Sequence, residues 1–205
     1  EPKHYGTVIG FALGGNDPLP GISAYKRIAP VPHWHFITYG FSELYAKESD
    51  DPERSGYGFE LTFRLADPED SEDPPTWVLN FLQNLARYVF KTGNAFESGH
   101  YLNANGPIAA DTDSAIRAVA FVEDPELPPI DTLNGRVDFL QVVGITNEEE
   151  FALKRWSTLK VLEVFQDFLP LWVTDIERGP LLADEDVAAR LAEGPAREGS
   201  STGML

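Results

Sequence analysis

The segment Gly56-Tyr57-Gly58-Phe59-Glu60-Leu61-Thr62-Phe63-Arg64-Leu65 alternates large apolar side chains with polar ones. The apolar members are Tyr57, Phe59, Leu61, Phe63 and Leu65. Because neighbouring side chains of a β-strand point to opposite faces, this pattern predicts a strand with one buried apolar face and one polar face. A strand of this kind requires a second layer that covers the apolar face.

A helix is predicted directly after this strand, from Trp77 to Lys91. Pro75 and Thr76 suit a helix start, where the first N–H groups have no partner within the helix. Gly93 favours a left-handed stop. Between these points a broad apolar stripe recurs at helical spacing, formed by Val78, Phe81, Leu82, Leu85 and Val89 and widened by Trp77, Tyr88 and Phe90. Strand and helix together predict a sheet that is covered by this helix.

Further strands are indicated by segments rich in Val, Ile, Phe and Trp. They are predicted at residues 34–41, 115–122, 137–145 and 171–176. The first of these has apolar groups on both sides, which predicts that both of its faces are buried. The pair Asn134-Gly135 favours a tight turn, so a short strand at 129–133 is expected to pair with the strand at 137–145.

Helical patterns occupy three other regions. A short helix is predicted after the turn-rich segment that ends at Pro20, through Tyr25 and Ile28 to Ala29. A second begins near Asn147, which with Glu150 resembles a capping box; it is broken near Ser157, and Pro170 ends it. A last one is predicted at residues 184–192, ending at Gly194-Pro195. Strands that alternate irregularly with helices predict a single α+β domain with a mixed β-sheet flanked by helices.

The composition excludes several kinds of function. The 205 residues include no cysteine, which removes disulfides, thiolate nucleophiles and zinc–thiolate sites. Asp and Glu number 33 against 16 Lys and Arg, a net charge of -17, and no basic stripe suited to nucleic acid is present. No apolar run reaches the ~20 residues of a membrane span, and no signal peptide is recognisable. A cytoplasmic location is therefore expected, with neither nucleic acid nor membrane as a partner.

The patterns that would indicate catalysis or metal binding are incomplete. His33 and His35 lie on one face of a predicted strand, but zinc takes three or four ligands and no spacing brings the other histidines to them. Ser98 lies near His100 in sequence without an orienting acid. Asp175 ends an apolar segment, and a buried, hydrogen-bonded structural role is expected for it. We therefore predict no enzymatic activity, no catalytic residue, no metal site and no cofactor.

A set of aromatic and acidic residues indicates a binding surface instead. Tyr88, Phe96, Tyr101, Glu123 and Asp124 have the composition expected where aromatic anchors and placed charges hold a polar or basic peptide. Each also has a structural interpretation. Tyr88 and Phe96 can belong to the core, and the acidic pair before Pro125 can be a turn that ends a strand.

Several blocks of the sequence, in a fixed order, resemble the N-terminal domain of the Suppressor of fused family and its bacterial relatives. The resemblance covers roughly residues 13–182. Besides the segment 56–65, the matching blocks are residues 13–19, 33–35, 39–45, 75–77, 85–90, 123–125, 139–144 and 172–175. The resemblance implies the same mixed-sheet architecture.

The resemblance also implies a partner-binding site. In animal Suppressor of fused, this domain holds an extended peptide of a transcription factor through strand-like pairing and through aromatic and acidic contacts. Matching by motif implies partner-binding roles for Tyr88, Phe96, Glu123 and Asp124, and for His100, which stands where the family has an acid. That replacement argues against the animal ligand.

These observations predict an N-terminal extension at residues 1–12, a Suppressor of fused-like domain at 13–193 and a disordered tail at 194–205. The chain is expected to be a stand-alone bacterial relative that binds and inhibits a protein or extended peptide. The specific hypothesis is an immunity protein, because an acidic surface suits a basic toxin. Two alternatives stay open: a metal-dependent hydrolase that uses His33 and His35, and a structural oligomerisation module. The oligomeric state is not predicted.

Overall fold

A computed structural model describes residues 1–6, 17–67, 69–110 and 112–199. Within these ranges, eight strands form one sheet. The strands are β1 (Lys3–Gly6), β2 (Gly21–Arg27), β3 (His33–Tyr39), β4 (Arg54–Ala66), β5 (Tyr101–Asn103), β6 (Ile116–Glu123), β7 (Ile130–Thr132) and β8 (Gly135–Thr146). The helices are α1 (Trp77–Thr92), α2 (Asn147–Arg155), α3 (Thr158–Phe165) and α4 (Glu185–Glu198), with short 3-10 turns at Pro170–Trp172 and Leu181–Ala183.

The strand order across the sheet is β1-β2-β3-β4-β8-β6-β5, with β7 paired to β8 outside this path. The central strands β4 and β8 are parallel, and the other described pairs are antiparallel. This arrangement confirms the predicted mixed sheet. The short strand β5 lies at one edge of the sheet, and β1 lies at the other.

Helices cover both faces of the sheet. Apolar side chains of β4 and α1 share one core, to which β6 contributes Val119 and Phe121. The alternate residues Ala118 and Ala120 point the other way and join a second core with α2, α3 and α4. The α+β class with flanking helices is therefore confirmed, and α1 lies over the apolar face of β4 as predicted.

The best-patterned elements form close to where the sequence placed them. Helix α1 begins at Trp77, and Gly93 ends it with φ of 75° while donating its N–H to the carbonyl of Val89. Strand β3 is buried along most of its length on both faces. Leu133 and Asn134 form the turn between β7 and β8, which confirms the predicted hairpin.

The polar face of β4 differs from the prediction. Glu60, Thr62 and Arg64 were expected to face solvent, yet all three are buried. The side chain of Arg64 donates to Asp124 and Glu126 in the turn after β6 and to Gln141 of β8, which cover it. A period of two identifies which residues share a face, but not whether another part of the chain covers that face.

Other local predictions are wrong for identifiable reasons. The segment after Pro20 that was predicted as a short helix up to Ala29 forms strand β2 instead, because β1 and β3 pair with it on both sides. The strand predicted at 171–176 is replaced by a 3-10 turn in which Leu171 and Trp172 have φ of 52° and 58°. Only Thr174 makes an isolated bridge to β4.

The ends of the helical segments also differ in detail. The capping box of α2 is formed by Thr146 and Glu149, one residue before the predicted pair. The predicted break near Ser157 is confirmed, since α2 and α3 are separate helices. Helix α4 does not end at Gly194-Pro195 but continues to Glu198. Gly194 lies within this helix, and the absence of a side chain there leaves room for the ring of Trp156.

The domain limits stay predictions. Strand β1 lies in the predicted N-terminal extension yet pairs with β2 as part of the sheet. Toward the two ends of the chain, three parts lie outside the described residues: 7–12 of that extension, 13–16 of the matching block 13–19, and 200–205 of the tail. None of the described helices is long and apolar enough to cross a membrane.

Candidate partner-binding surface

Three aromatic rings form a stack between α1 and the sheet. Tyr88 of α1 stacks on Phe96 with a centroid distance of 5.6 Å and an interplanar angle of 13°. Phe96 stacks in turn on Phe121 of β6 at 4.1 Å and 15°. Phe96 and Phe121 are buried, whereas Tyr88 is only partly buried. Phe96 therefore supports the surface from below, and Tyr88 is the member of the stack that solvent reaches.

His100 lies in the tight connection that leads from this stack into β5. The backbone N–H of Glu97 donates to Nδ1 of His100 at 3.0 Å. The carbonyl of His100 accepts from the N–H of Phe121 at 3.0 Å, and the N–H of Gly99 donates to the carbonyl of Phe121 at 2.8 Å. These bonds fix the partly exposed His100 at the start of the edge strand, next to the aromatic stack.

Strand β5 has one paired side among the described strands. Leu102 lies opposite Val119 of β6, and the N–H of Ala104 donates to the carbonyl of Arg117 at 2.9 Å. Because hydrogen bonding alternates along an antiparallel strand, the N–H and C=O of Tyr101 and Asn103 point away from β6. These outward groups are the kind of template to which an extended segment can add.

Glu123 lies at the end of β6, two residues beyond Phe121, which bonds His100, and it is exposed. It lines a surface cavity of about 300 Å³ together with Phe96, Glu97 and Asp138. The structure thus brings Phe96 and Glu123 to one cavity. Arg54 also lines this cavity, and Asp138 pairs with Arg136 at 2.9 Å. Glu97 and Glu123 therefore contribute the acidic character of this part of the surface.

Asp124 does not belong to that exposed surface. Its side chain is fully buried and accepts hydrogen bonds from Arg64 at 2.8 and 3.0 Å and from the hydroxyl of Thr62 at 2.6 Å. The backbone N–H groups of Glu126 and Leu127 also donate to Oδ1 of Asp124, at 2.8 and 2.9 Å. The carboxylate of Asp124 thus accepts five hydrogen bonds within the fold and has a structural role. A partner could contact it directly only if the turn after β6 opened.

The electrostatics of this buried cluster depend on Arg64. Burial by itself would raise the pKa of Asp124, but the His35 ring at 3.6 Å, Arg64 and Thr62 hold that pKa well below its usual range. Burial lowers the pKa of His33 and His35, and the charge of Arg64 acts in the same direction. The cluster therefore contains a charged Arg64–Asp124 pair beside neutral imidazoles.

The residues considered for metal binding or catalysis do not come together. His33 and His35 are buried, and Nδ1 of His33 lies 2.8 Å from the carbonyl oxygen of Val31. Across the described ranges, no group of three His, Cys, Asp or Glu side chains could hold a metal ion. Asp175 was expected to be buried but is exposed, and it accepts only from the nearby N–H of Glu177 at 2.9 Å.

Two charged residues of β4, Arg64 and Glu60, are buried although the sequence pattern did not predict it. Arg64 is described above. Glu60 accepts from the N–H groups of Gly40 and Ser42 at 2.9 and 3.0 Å and from the hydroxyls of Ser42 and Thr38 at 2.6 and 2.7 Å. Burial raises the pKa of Glu60, and these hydrogen bonds oppose that effect. The flanking strand β3, apolar on both sides, was the available signal that β4 is central and covered on both faces.

The fold and this surface define an α+β domain built on a mixed sheet, in which the edge strand β5 lies beside an aromatic and acidic surface. Comparison with known proteins gives it a family. The family model described as Suppressor of fused protein (SUFU) matches residues 15–179. The Suppressor of fused homolog of Homo sapiens is 35% identical to this chain over an alignment of 219 residues. The alignment covers 98% of this chain and 45% of the human protein. The chain belongs to the Suppressor of fused family.

Solved structures agree with this assignment. The crystal structure of Drosophila Suppressor of Fused matches with a TM-score of 0.88 and 33% identity, over 98% of this chain and 52% of that chain. The Sufu-Fu complex crystal structure contains a chain that matches with a TM-score of 0.85 and 33% identity, over 93% of this chain and 89% of that one. The chain thus spans about half the length of the human and Drosophila relatives.

Proposed function

We propose that this chain binds a protein partner by adding an extended segment of that partner to β5. The observation that carries the proposal is the position of β5, a three-residue edge strand that follows directly on His100 and the stacked rings of Tyr88 and Phe96. Outward backbone groups supply sequence-independent hydrogen bonds, and neighbouring pockets select side chains. The Sufu-Fu complex, which contains a relative of this chain, supports a protein as the partner.

The surroundings of β5 favour a polar or basic segment. Tyr88 offers an aromatic surface stacked on Phe96, and the carboxylates of Glu97 and Glu123 line the cavity beside Phe96. The net charge of -17 would attract a basic partner at long range and speed association. Phe96 and Asp124 act beneath this surface in the proposal, Phe96 by supporting Tyr88 and Asp124 by fixing the turn that follows Glu123.

We further propose that the function is binding and inhibition rather than catalysis, with no cofactor. The finer hypothesis of a bacterial immunity protein in the cytoplasm, acting on a basic toxin, rests on the acidic charge and on the family resemblance. It predicts that the chain protects cells that express the cognate toxin. Failure of protection while the purified proteins do bind each other would refute the immunity role and leave the binding proposal standing.

The edge proposal can be tested at one residue of β5. Asn103→Pro removes an outward backbone N–H that β6 does not use, so strand addition should be lost while the sheet is retained. Asn103→Ala is the matched control, because it removes the same side-chain bonds to Glu150 and to the N–H of Asn105 but keeps the backbone donor. In pull-downs from native cells, wild type and Asn103→Ala should recover a partner that Asn103→Pro does not.

A second pair of variants tests the surface beside the edge. A folded Tyr88→Ala, Glu123→Lys double variant should lose the partner. A Glu148→Lys variant, which makes the same charge change at an exposed position on α2, should keep it. Recovery of no partner by the wild type would contradict the binding proposal, and equal recovery by all variants would contradict the site. Sedimentation of the purified chain tests the alternative in which β5 pairs with a second copy.

A further inference from the structure

A second cavity lies at the other end of β4, where that strand leaves the sheet. Its volume is about 290 Å³. Trp34 of β3 and Trp77 at the start of α1 line it together with Leu65, Pro75 and Ile176. Trp77 is only partly buried and packs edge-on against Phe63 at 6.3 Å, so its ring is held in place and still reaches solvent. The cavity therefore has a fixed aromatic and apolar wall.

The remaining side chains that line this cavity include five carboxylates and no Lys or Arg. The acids are Asp67, Glu69, Asp73, Asp175 and Glu177. Lys3 pairs with Asp73, and Lys26 lies 4.0 Å from Oδ2 of Asp67. In the described part of the chain, the other three carboxylates have no ion pair. The cavity thus has an excess of negative charge that the folded chain itself does not neutralise.

Two buried polar atoms of this cavity wall lack hydrogen bonds. Trp34 is 2% exposed and Asp67 is 6% exposed. Neither Nε1 of Trp34 nor Oδ2 of Asp67 has a hydrogen-bond partner among the described residues. Buried polar groups are nearly always paired, so an unpaired donor and an unpaired acceptor in one cavity wall indicate a missing partner. A peptide segment that carries a cationic side chain would supply both an acceptor and a donor.

Two lysine side chains of this chain already lie near the ring of the same tryptophan. The Nζ atoms of Lys3 and Lys26 lie 6.0 and 5.8 Å from the centroid of the Trp34 ring. Lys26 also donates to the carbonyls of Asp70 and Ser71 at 2.9 and 2.6 Å. An ammonium group near an indole ring, held by oxygen acceptors, is a favourable combination. The acidic loop after β4 is thus arranged to hold cationic groups.

We propose that this cavity binds a lysine or arginine side chain of a partner protein, as a docking site separate from β5. Asp175 and Glu177 supply the charge, Trp77 supplies the aromatic face, and the aliphatic part of the side chain packs against Pro75 and Ile176. Phe59 of β4 lines the cavity that contains Glu123, and Ala66 of β4 lines the cavity of Trp34 and Trp77. These two residues are seven positions apart on the strand. At about 3.3 Å per residue they are roughly 23 Å apart, so the two sites can be tested independently.

The indole N–H resonances report directly on this cavity. The full chain is titrated with an arginine-containing peptide, with the same peptide carrying lysine, and with the same peptide carrying neutral citrulline. The resonances of Trp34 and Trp77, assigned with Trp→Phe variants, should shift with the cationic peptides and not with citrulline. The resonance of Trp156, which lines a different cavity, should stay unchanged. Binding should weaken as salt is added.

Variants separate the site from the general acidity of the chain. The double variant Asp175→Asn, Glu177→Gln should weaken binding of the arginine peptide about tenfold. Glu148→Gln, Glu185→Gln removes the same charge at exposed helix positions and should change the affinity less than twofold. Equal weakening by both double variants, equal binding of citrulline, or unshifted Trp34 and Trp77 resonances would each overturn the proposal.

Discussion

The buried pair of Arg64 and Asp124 leads to the most quantitative prediction. Both side chains are fully buried, and three of the hydrogen bonds to Asp124 come from the side chains of Arg64 and Thr62. Asp124→Asn removes the negative charge and leaves the guanidinium with Glu126, whose side chain is 47% exposed. Breaking a buried pair by removing one partner costs about 3–5 kcal/mol. That is a large fraction of the roughly 5–15 kcal/mol that stabilises a typical domain.

Urea unfolding followed by circular dichroism measures this loss as a free energy of unfolding. Glu126→Gln is the matched control, because it removes the exposed member of the same cluster and should cost less than about 1 kcal/mol. The reasoning also predicts a partial rescue. Adding Arg64→Met to Asp124→Asn should recover much of the stability, because no unpaired charge then stays buried and the amide oxygen still accepts from the N–H groups of Glu126 and Leu127. A loss of less than about 1 kcal/mol in Asp124→Asn would refute this account of the pair.

Two further predictions concern pH and packing. Burial lowers the pKa of His33 and His35, so below about pH 6.5 the unfolded chain binds protons that the folded chain does not, and stability falls as the pH drops. With both histidines replaced by Gln, the free energy of unfolding measured in urea should fall less between about pH 7 and about pH 5 than it does in wild type. In Gly194→Ala, the new Cβ would lie 2.5 Å from the Trp156 ring, so overpacking should cost about 1–3 kcal/mol. Gly179→Ala, with nothing within 4 Å, should stay within about 0.5 kcal/mol of wild type in the same unfolding assay.

The sequence predicts β4 and α1 well because their patterns are local. Five apolar residues at a period of two identify one face of β4, and Gly93 identifies the end of α1. The burial of Arg64 was not predictable in the same way, because Asp124 and Gln141 lie 60 and 77 residues further along the chain. A charged residue within a strand looks the same in sequence whether solvent or a distant carboxylate faces it.

The candidate site shows the same division between motif and geometry. The motif implied partner-binding roles for Phe96 and Glu123, which stay predictions, and the two residues line one cavity. It could not show that Asp124, the next residue, turns inward, because that direction follows from the strand period and from Arg64 on β4. Adjacent residues of a strand end point to opposite faces, so an acidic pair offers one carboxylate to solvent and one to the core.

Asp124 links the buried network to the proposed binding surface. Its Oδ1 holds the N–H groups of Glu126 and Leu127, and its own N–H donates to the carbonyl of Phe139 at 2.9 Å. The turn that follows Glu123 is therefore fixed to β8 by its backbone and to β4 by Arg64. The backbone around Glu123 is therefore already ordered before a partner contacts its carboxylate. Less conformational entropy is lost on binding as a result. An acid that lies too deep to contact a partner can thus still be required for binding, as a positioning residue.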